Sequence, residues 1–395
     1  MIELQGEHNT AKVFTDIVDS TTISQIITLL NMPYMKECQT RIMPDCHAGA
    51  GCVIGTTIQL KDKVVPNLVG VDIGCGMLAV KLAEKEIDLE RLDKVINERV
   101  PSGFDIHNRP ITKFHDLADL ICPVDVKRAQ CSLGSLGGGN HFIEVDKDAN
   151  GNLWLVIHTG SRHLGIEVCK HYQKLGINKL RKEEIGKKIE DTITRLKAEG
   201  KERDIENTIK ILKMQHQVIP DDLCYIEGDD FDNYIHDMKI TQRYAKRNRE
   251  TIAHTIIDNM GFTIVDHFDT IHNYINMDDM ILRKGSISAR EGERVIIPMN
   301  MRDGSLICIG KGNPDWNYSA PHGAGRLLSR AQARQQLDLK EFEESMKGIY
   351  STSVADTTID EAPMVYKRME DIVDNITDTV TIVGVIKPIY NFKAH

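Results

Sequence analysis

Asp72 and Cys75 stand three residues apart in Gly70-Val71-Asp72-Ile73-Gly74-Cys75-Gly76. A hard carboxylate oxygen and a soft sulfur there share a stretch whose glycines let the backbone bend, which is how a metal site begins. Taken alone, the motif serves equally well as a structural turn with a buried cysteine. Three histidines downstream favour the metal. His141 ends the glycine-rich run Cys131 to His141, His158 closes an apolar run, and His272 lies in Asp266 to Tyr274. Asp72, Cys75, His141, His158 and His272 exceed what one tetrahedral ion needs. With Cys75 as a bridge they suit two ions about 3.5–4 Å apart, as in two-metal phosphoryl enzymes. The ligand types suggest zinc, cobalt or manganese.

Further stretches suggest phosphate chemistry. His322 is followed by Gly323-Ala324-Gly325, and Arg326 to Leu337 is predicted as a helix. Small residues before a helix present free N–H groups to an anion, and a neutral imidazole there is a nucleophile for phosphorus. The loop Gly134 to Asn140 would let backbone N–H groups approach phosphate, although it is neither a Walker A loop nor a dinucleotide fingerprint. Arg162 is placed to bind an anion. Asp45 and His47 alternate, so an extended backbone points both to one side; such a pair is more often a local hydrogen bond. Arg243, Lys246, Arg247 and Arg249 form the densest basic patch, a candidate RNA path or simply an exposed helix face. Lys387 is a charge at the end of an apolar strand, an unusual place without a partner.

The elements that position these residues read as mixed α/β. A helix is predicted over Asp19 to Pro33, capped by Ser20 or Thr21. Val64 to Val71 is predicted as a buried strand leading into the first motif. Helices are expected at Ile87 to Val100 and Tyr244 to Ile257, and strands at Phe142 to Val145, Leu153 to Ile157, Val295 to Met301, Leu306 to Ile309 and Thr379 to Lys387. Cys169 to Gln217 is charged and helical, best read as a solvated face. The chain of 395 residues is 41% hydrophobic, ample for one large core. No composition shift marks a linker. One domain, residues 1–395, is expected, with central mixed sheets flanked by helices and a helical insertion at about 165–260. A net charge of −9 excludes a general nucleic-acid coat, so a polyanion would need a local basic groove. Nine cysteines without disulfide spacing read as reduced thiols in the cytoplasm. The start, MIELQGEHNT, does not read as a secretory signal, and no apolar stretch approaches a membrane span.

Seven motifs occur together: GVDIGCG, GGGNHFIE, HTGSRHLG, HNY, RKGSISAR, HGAGR and EAPMVYK. In this order they resemble the RtcB family of RNA ligases, over about Arg41 to Lys387. The resemblance implies a GTP- and manganese-dependent RNA ligase of RNA repair or tRNA splicing. Such an enzyme joins a 3′-phosphate or 2′,3′-cyclic phosphate end to a 5′-hydroxyl end. It implies two manganese ions on Asp72, Cys75, His141, His158 and His272, with Cys75 bridging. It makes His322 the nucleophile that is guanylylated before GMP passes to the RNA 3′-phosphate. It assigns the guanylate pocket to Asn140, Phe142, Glu144, Asn273, Tyr366 and Lys387, with Gly323, Ala324, Gly325 and Arg326 at the phosphate. Arg162, Lys284 and Arg330 are the expected RNA phosphate clamps. Two departures stand out. The family's Pro-Gly-Ser-Met-Gly is replaced by Pro298-Met299-Asn300-Met301, so Asn300 stands for a serine and Ser305 is the other candidate near the nucleotide. Ile271 stands where a second histidine often precedes His272. The alternative reading is a metal-dependent RNA 3′-end phosphatase or cyclic phosphodiesterase that has lost guanylylation.

Overall fold

In Gly76–Leu82 and Leu153–Thr159 almost every residue is buried, because both faces of their sheet are covered. Leu78, Val80, Ile143, Val145, Leu155 and Ile157 pack on one side with Ile252 and Ile256 of a long helix. Met77, Ala79, Phe142, Trp154 and Val156 pack on the other with Ile296, Ile307 and Ile386. Each of the larger side chains contributes about 1.5–3 kcal/mol of burial. In this computed structural model residues 1–215 and 219–394 are described.

The central sheet has seven strands in the order Ile264–Ile271, Gly76–Leu82, Leu153–Thr159, Phe142–Lys147, Val380–Lys393, Gly304–Gly310 and Arg294–Asn300. All of its pairings are antiparallel. A second sheet has six strands, in the order Ile2–Gln5, Thr10–Val13, Gln39–His47, Ile54–Gln59, Ile281–Lys284 and Tyr274–Asn276. There only Thr10–Val13 and Gln39–His47 run parallel. The architecture is mixed α/β, as expected.

Several local expectations are corrected. The first helix, Ser20–Leu30, is capped by Asp19 rather than Ser20 or Thr21; its carboxylate accepts from the amides of Thr21 and Thr22 at 2.8 and 3.0 Å. The run Val64 to Val71 is not one strand. Lys63–Val64 pairs briefly, and Pro66 then opens the short helix Pro66–Val69. Proline cannot donate to a ladder but is preset for a first helical turn. The helix after His322 begins only at Arg330, because Ser329 and Gln332 form a capping box there. Gly323 to Gly325 therefore lie outside any helix N-terminus.

The region 165–260 is largely helical, in Arg162–Ala198, Ile205–Gln215 and Asp229–Met260. The end of the predicted run, His216 and Gln217, lies outside the described residues. The first of these helices is not simply a solvated face: Leu164, Val168, Cys169 and Tyr172 sit in the main core. All nine cysteines are free and buried. Among the described residues no helix is long and apolar enough to cross a membrane.

Candidate metal centre and nucleotide cavity

Four neighbouring strands deliver the metal ligands to one edge of the central sheet. His272 follows directly on Ile264–Ile271, and Cys75 directly precedes Gly76–Leu82. His158 lies near the end of Leu153–Thr159, and His141 directly precedes Phe142–Lys147. Antiparallel pairing places these alternating ends together: Ile271 faces Gly76, Met77 faces His158, and Phe142 faces His158. Asp72 joins them from the turn before Cys75, whose amide donates to the Asp72 carbonyl at 3.2 Å.

The buried cation Arg249 fixes that turn. It donates to both Asp269 oxygens at 2.7 Å, to the Gly74 carbonyl at 2.9 Å and to the Thr159 carbonyl at 3.0 Å. Arg249 is fully buried, so it leaves the basic patch expected on its helix. Breaking one side of such a buried pair costs about 3–5 kcal/mol. Gly160 is required by space, since a Cβ there would stand 2.2 Å from Asp72 Oδ1.

Two ligand triads share one sulfur: Asp72, Cys75 and His141, and Cys75, His158 and His272. Cys75 Sγ lies 3.5 Å from His141 Nε2 and 3.3 Å from His158 Nε2. His158 Nε2 lies 3.4 Å from His272 Nε2, and His141 Nε2 lies 3.0 Å from Asp72 Oδ2. The far ring nitrogens of His141 and His158 are tied to the backbone, whereas Nδ1 of His272 is buried without a partner among the described residues. Nδ1 of His141 donates to the Leu136 carbonyl at 2.9 Å, and Nδ1 of His158 donates to the Asn140 carbonyl at 3.1 Å. Nε2 of His141 and of His158 therefore turns a lone pair into the cluster.

Burial, and then neighbouring positive groups, hold the His158 and His272 rings well below the usual imidazole range, hence neutral. Burial opposes ionisation of Asp72, but His141, Cys75 and the Ser161 amide hold its carboxyl well below the usual range. A carboxylate and several lone pairs thus face one another in a largely buried space, where a single thiol proton can satisfy one contact at most. This donor set fits cations between the groups. Cys75, the residue expected to bridge, is the member common to both triads.

His322 stands beside this centre. Its ring centroid is 4.8 Å from that of His272. Asp45 Oδ2 accepts from His322 Nδ1 at 2.7 Å, and also from the amides of His322 and Gly323 at 3.1 and 3.2 Å. The imidazole is thereby oriented with Nδ1 protonated and Nε2 free. In the sequence Asp45 stands out only as half of an Asp-x-His pair. His47 does make a local hydrogen bond, to the Asp45 carbonyl at 2.9 Å.

His322 opens on a cavity of about 1130 Å³. Asn140, Phe142, Glu144, His158, Asn300, Gly323, Ala324, Gly325, Arg326, Arg330 and Tyr366 line it, as does Lys393. Glu144 is buried and accepts from the Asn391 amide. Lys393, not singled out from the sequence, lies over the Phe142 ring and pairs with Glu361 at 3.0 Å. Tyr366 also donates to Glu361, at 2.6 Å.

Other expected site residues lie elsewhere. Lys387 is exposed, because the strand Val380–Lys393 shifts register between Pro388 and Tyr390, and Lys393 takes the inward place. Ser305 is fully buried in its strand and does not line the cavity; Asn300 does. Asn273 braces the metal turn instead. Its Nδ2 donates to the Asp72 carbonyl at 3.2 Å and its Oδ1 accepts from the Gly285 amide at 2.8 Å. Lys284 is buried and donates to the Asn67 carbonyl at 2.7 Å. Arg162 is likewise committed, to the Ser135 hydroxyl at 3.0 Å and the Gly103 carbonyl at 2.9 Å. Of the three expected phosphate clamps, Arg330 alone lines the cavity, paired with Asp360 and Glu361.

A mixed α/β scaffold with two candidate metal triads on a common thiol, next to an imidazole that lines a large cavity, has the parts of a metal-dependent enzyme. Comparison with known proteins narrows the class. The family model described as tRNA-splicing ligase RtcB matches residues 25–122 and 118–394. RNA-splicing ligase RtcB of Escherichia coli K12 and RtcB1 of Escherichia coli ATCC 25922 are each 26% identical to this chain over 419 residues, covering 95% of both partners. tRNA-splicing ligase RtcB of Aeropyrum pernix is 27% identical, covering 87% of this chain and 84% of its own. The chain belongs to the RtcB family of RNA ligases.

Proposed function

We propose that this protein ligates RNA, joining 3′-phosphate or 2′,3′-cyclic phosphate ends to 5′-hydroxyl ends with GTP and two manganese ions. The observation that carries the reading is His322, held by Asp45 through Nδ1 and set against the His158–His272 side of the metal cluster. His322 Nε2 attacks the α-phosphorus of GTP, forming an N–P bond as pyrophosphate leaves. GMP then passes to the RNA 3′-phosphate, and the 5′-hydroxyl oxygen displaces GMP to make the new phosphodiester. A cyclic phosphate is first opened by water. Asp72, Cys75 and His141 would hold one ion, and Cys75, His158 and His272 the other. Bound there, the ions neutralise phosphate charge and activate a hydroxyl. Glu144 would accept from the guanine edge, which favours GTP over ATP, and Asn300 takes the position of the family's serine. The RNA-splicing ligases to which the chain is similar support this reading, as does the retention of all five ligands in one cluster.

The test is covalent labelling. Protein incubated with manganese and labelled GTP gains one GMP by intact mass, and His322→Ala gains none. Absence of an adduct under every divalent ion tested refutes the reading. If 3′-end hydrolysis then persists without GTP, the phosphatase alternative stands in its place.

A further inference from the structure

The loop from Pro101 to Lys113 carries the least covered aromatic side chain of the described residues: Phe104 is 99% exposed. The loop beneath this ring is firmly held. The Gly103 amide donates to the Gly137 carbonyl at 2.9 Å, and Arg162 donates to the Gly103 carbonyl at 2.9 Å. The His107 amide donates to the Cys131 carbonyl at 3.0 Å. These contacts attach the loop to the glycine run that ends in the metal ligand His141. A Cβ on Gly137 would lie 2.9 Å from His141 Nδ1, and one on Gly138 would lie 3.6 Å from Gly103 Cα. The backbone that carries Phe104 is thus anchored, through Gly103, to the wall of the metal centre.

On its other side the same loop borders a second cavity, of about 720 Å³, whose walls include Arg99, His107, Arg247 and His254. The Arg99 guanidinium makes no hydrogen bond or ion pair among the described residues, and that of Arg247 makes one hydrogen bond, to Thr112 at 3.1 Å. Arg109 and Lys113, exposed on the loop, are also without ion-pair partners among the described residues. Two acids, Glu98 and Asp258, share the wall, and Lys94 lies 4.0 Å from Glu98. Uncommitted cations and a free aromatic ring on one loop and its surroundings are the combination that binds single-stranded nucleic acid: bases stack on the ring and phosphates meet the cations. The chain as a whole is acidic, so this local set supplies the basic groove a polyanion needs.

We propose that the loop 101–113 is the platform for a single-stranded RNA end next to the metal centre, with Phe104 stacking on a nucleobase and Arg99 and Arg247 taking backbone phosphates. The inference rests on the RNA-ligase reading for its ligand, but it is tested by binding alone.

The probe is a short single-stranded RNA with hydroxyls at both ends, which cannot be ligated. Phe104→Trp in the full chain places an indole at the ring position, against a background of two buried tryptophans, Trp154 and Trp316. RNA should quench the new exposed emission. By anisotropy, Phe104→Ala should raise the dissociation constant on the order of tenfold. Phe104→Tyr should restore it, and Val383→Ala, an exposed apolar residue on another strand, should leave it unchanged. Arg99→Gln should reduce the slope of log affinity against log salt by about 0.7. RNA binding without quenching, or with wild-type affinity in Phe104→Ala, overturns the platform. Guanylylation of the wild type without RNA binding also overturns it while sparing the His322 chemistry. Quenching in a protein that never takes up GMP supports the platform and sinks the ligase reading instead.

Discussion

Replacing Asp45 by asparagine isolates the charge that faces His322 while keeping an oxygen for its donors. Asp45 Oδ2 serves the His322 imidazole and the His322 and Gly323 amides together, and Oδ1 has no partner. The change is close to isosteric, but the new NH2 takes the buried place of Oδ1 without an acceptor, so Asp45→Asn should cost about 1–3 kcal/mol of stability while the protein stays folded. The rate is different. As Nε2 bonds to phosphorus, positive charge spreads over the ring toward Nδ1. At an effective dielectric of about 20, unit charges about 4 Å apart attract by about 4 kcal/mol. A neutral amide retains only the hydrogen-bond part, so the loss is about 3–4 kcal/mol, or roughly 10²–10³ in rate. The assay is single-turnover formation of the GMP adduct at saturating GTP, with thermal melting run on the same samples. Asp45→Ala should add a fold defect, since it strands three donors at once. Wild-type adduct formation by Asp45→Asn would refute the claim that this carboxylate supports the nucleophile.

The metal triads make a second prediction. Because both include Cys75, Cys75→Ala should weaken both ions, whereas His272→Ala should weaken only the ion of its own triad. Elemental analysis of dialysed protein decides this, and two retained ions in Cys75→Ala would contradict a bridging sulfur. A third concerns pH. Burial, opposed by Lys393 and Asn391, lifts the Glu144 carboxyl from 4.5 to about 7. The fold then holds this proton more tightly than the unfolded chain does. The resulting stabilisation is present below 4.5 and is lost as pH rises through about 7. A guanine edge needs the ionised form, so KM for GTP should fall as pH rises through about 7, and Glu144→Gln should flatten the profile. Identical profiles in the two proteins would remove Glu144 from guanine recognition.

The ligands are legible in the sequence because their types are chemically restrictive and each sits where an apolar run meets a glycine or a turn. Their convergence is not. Residues 141 and 158 share the open end of one hairpin, but it is the order of strands in the sheet that brings residues 75 and 272, far apart in the chain, to that same edge. Asp45 is half visible: it alternates with His47, yet nothing local indicates that its partner lies at position 322. Lys387 shows a different failure. Lys387 and Lys393 are an even number of residues apart, so an uninterrupted strand would place both on one face. The register shift between Pro388 and Tyr390 reverses the faces, and the outward lysine is the one that the pattern favours.

The same reasoning explains why two of the expected phosphate clamps lie elsewhere. Arg162 and Lys284 stand out for charge near a glycine turn, but a buried cation must first satisfy its own donors. Arg162 does so by holding the Gly103 carbonyl, and Lys284 by holding that of Asn67. Arg162 is thereby committed to position rather than to an anion: it holds the loop on which Phe104 is displayed. Arg99, Arg109 and Lys113, which have no ion-pair partners among the described residues, lie on that loop and its preceding helix, where the proposed RNA strand would meet them.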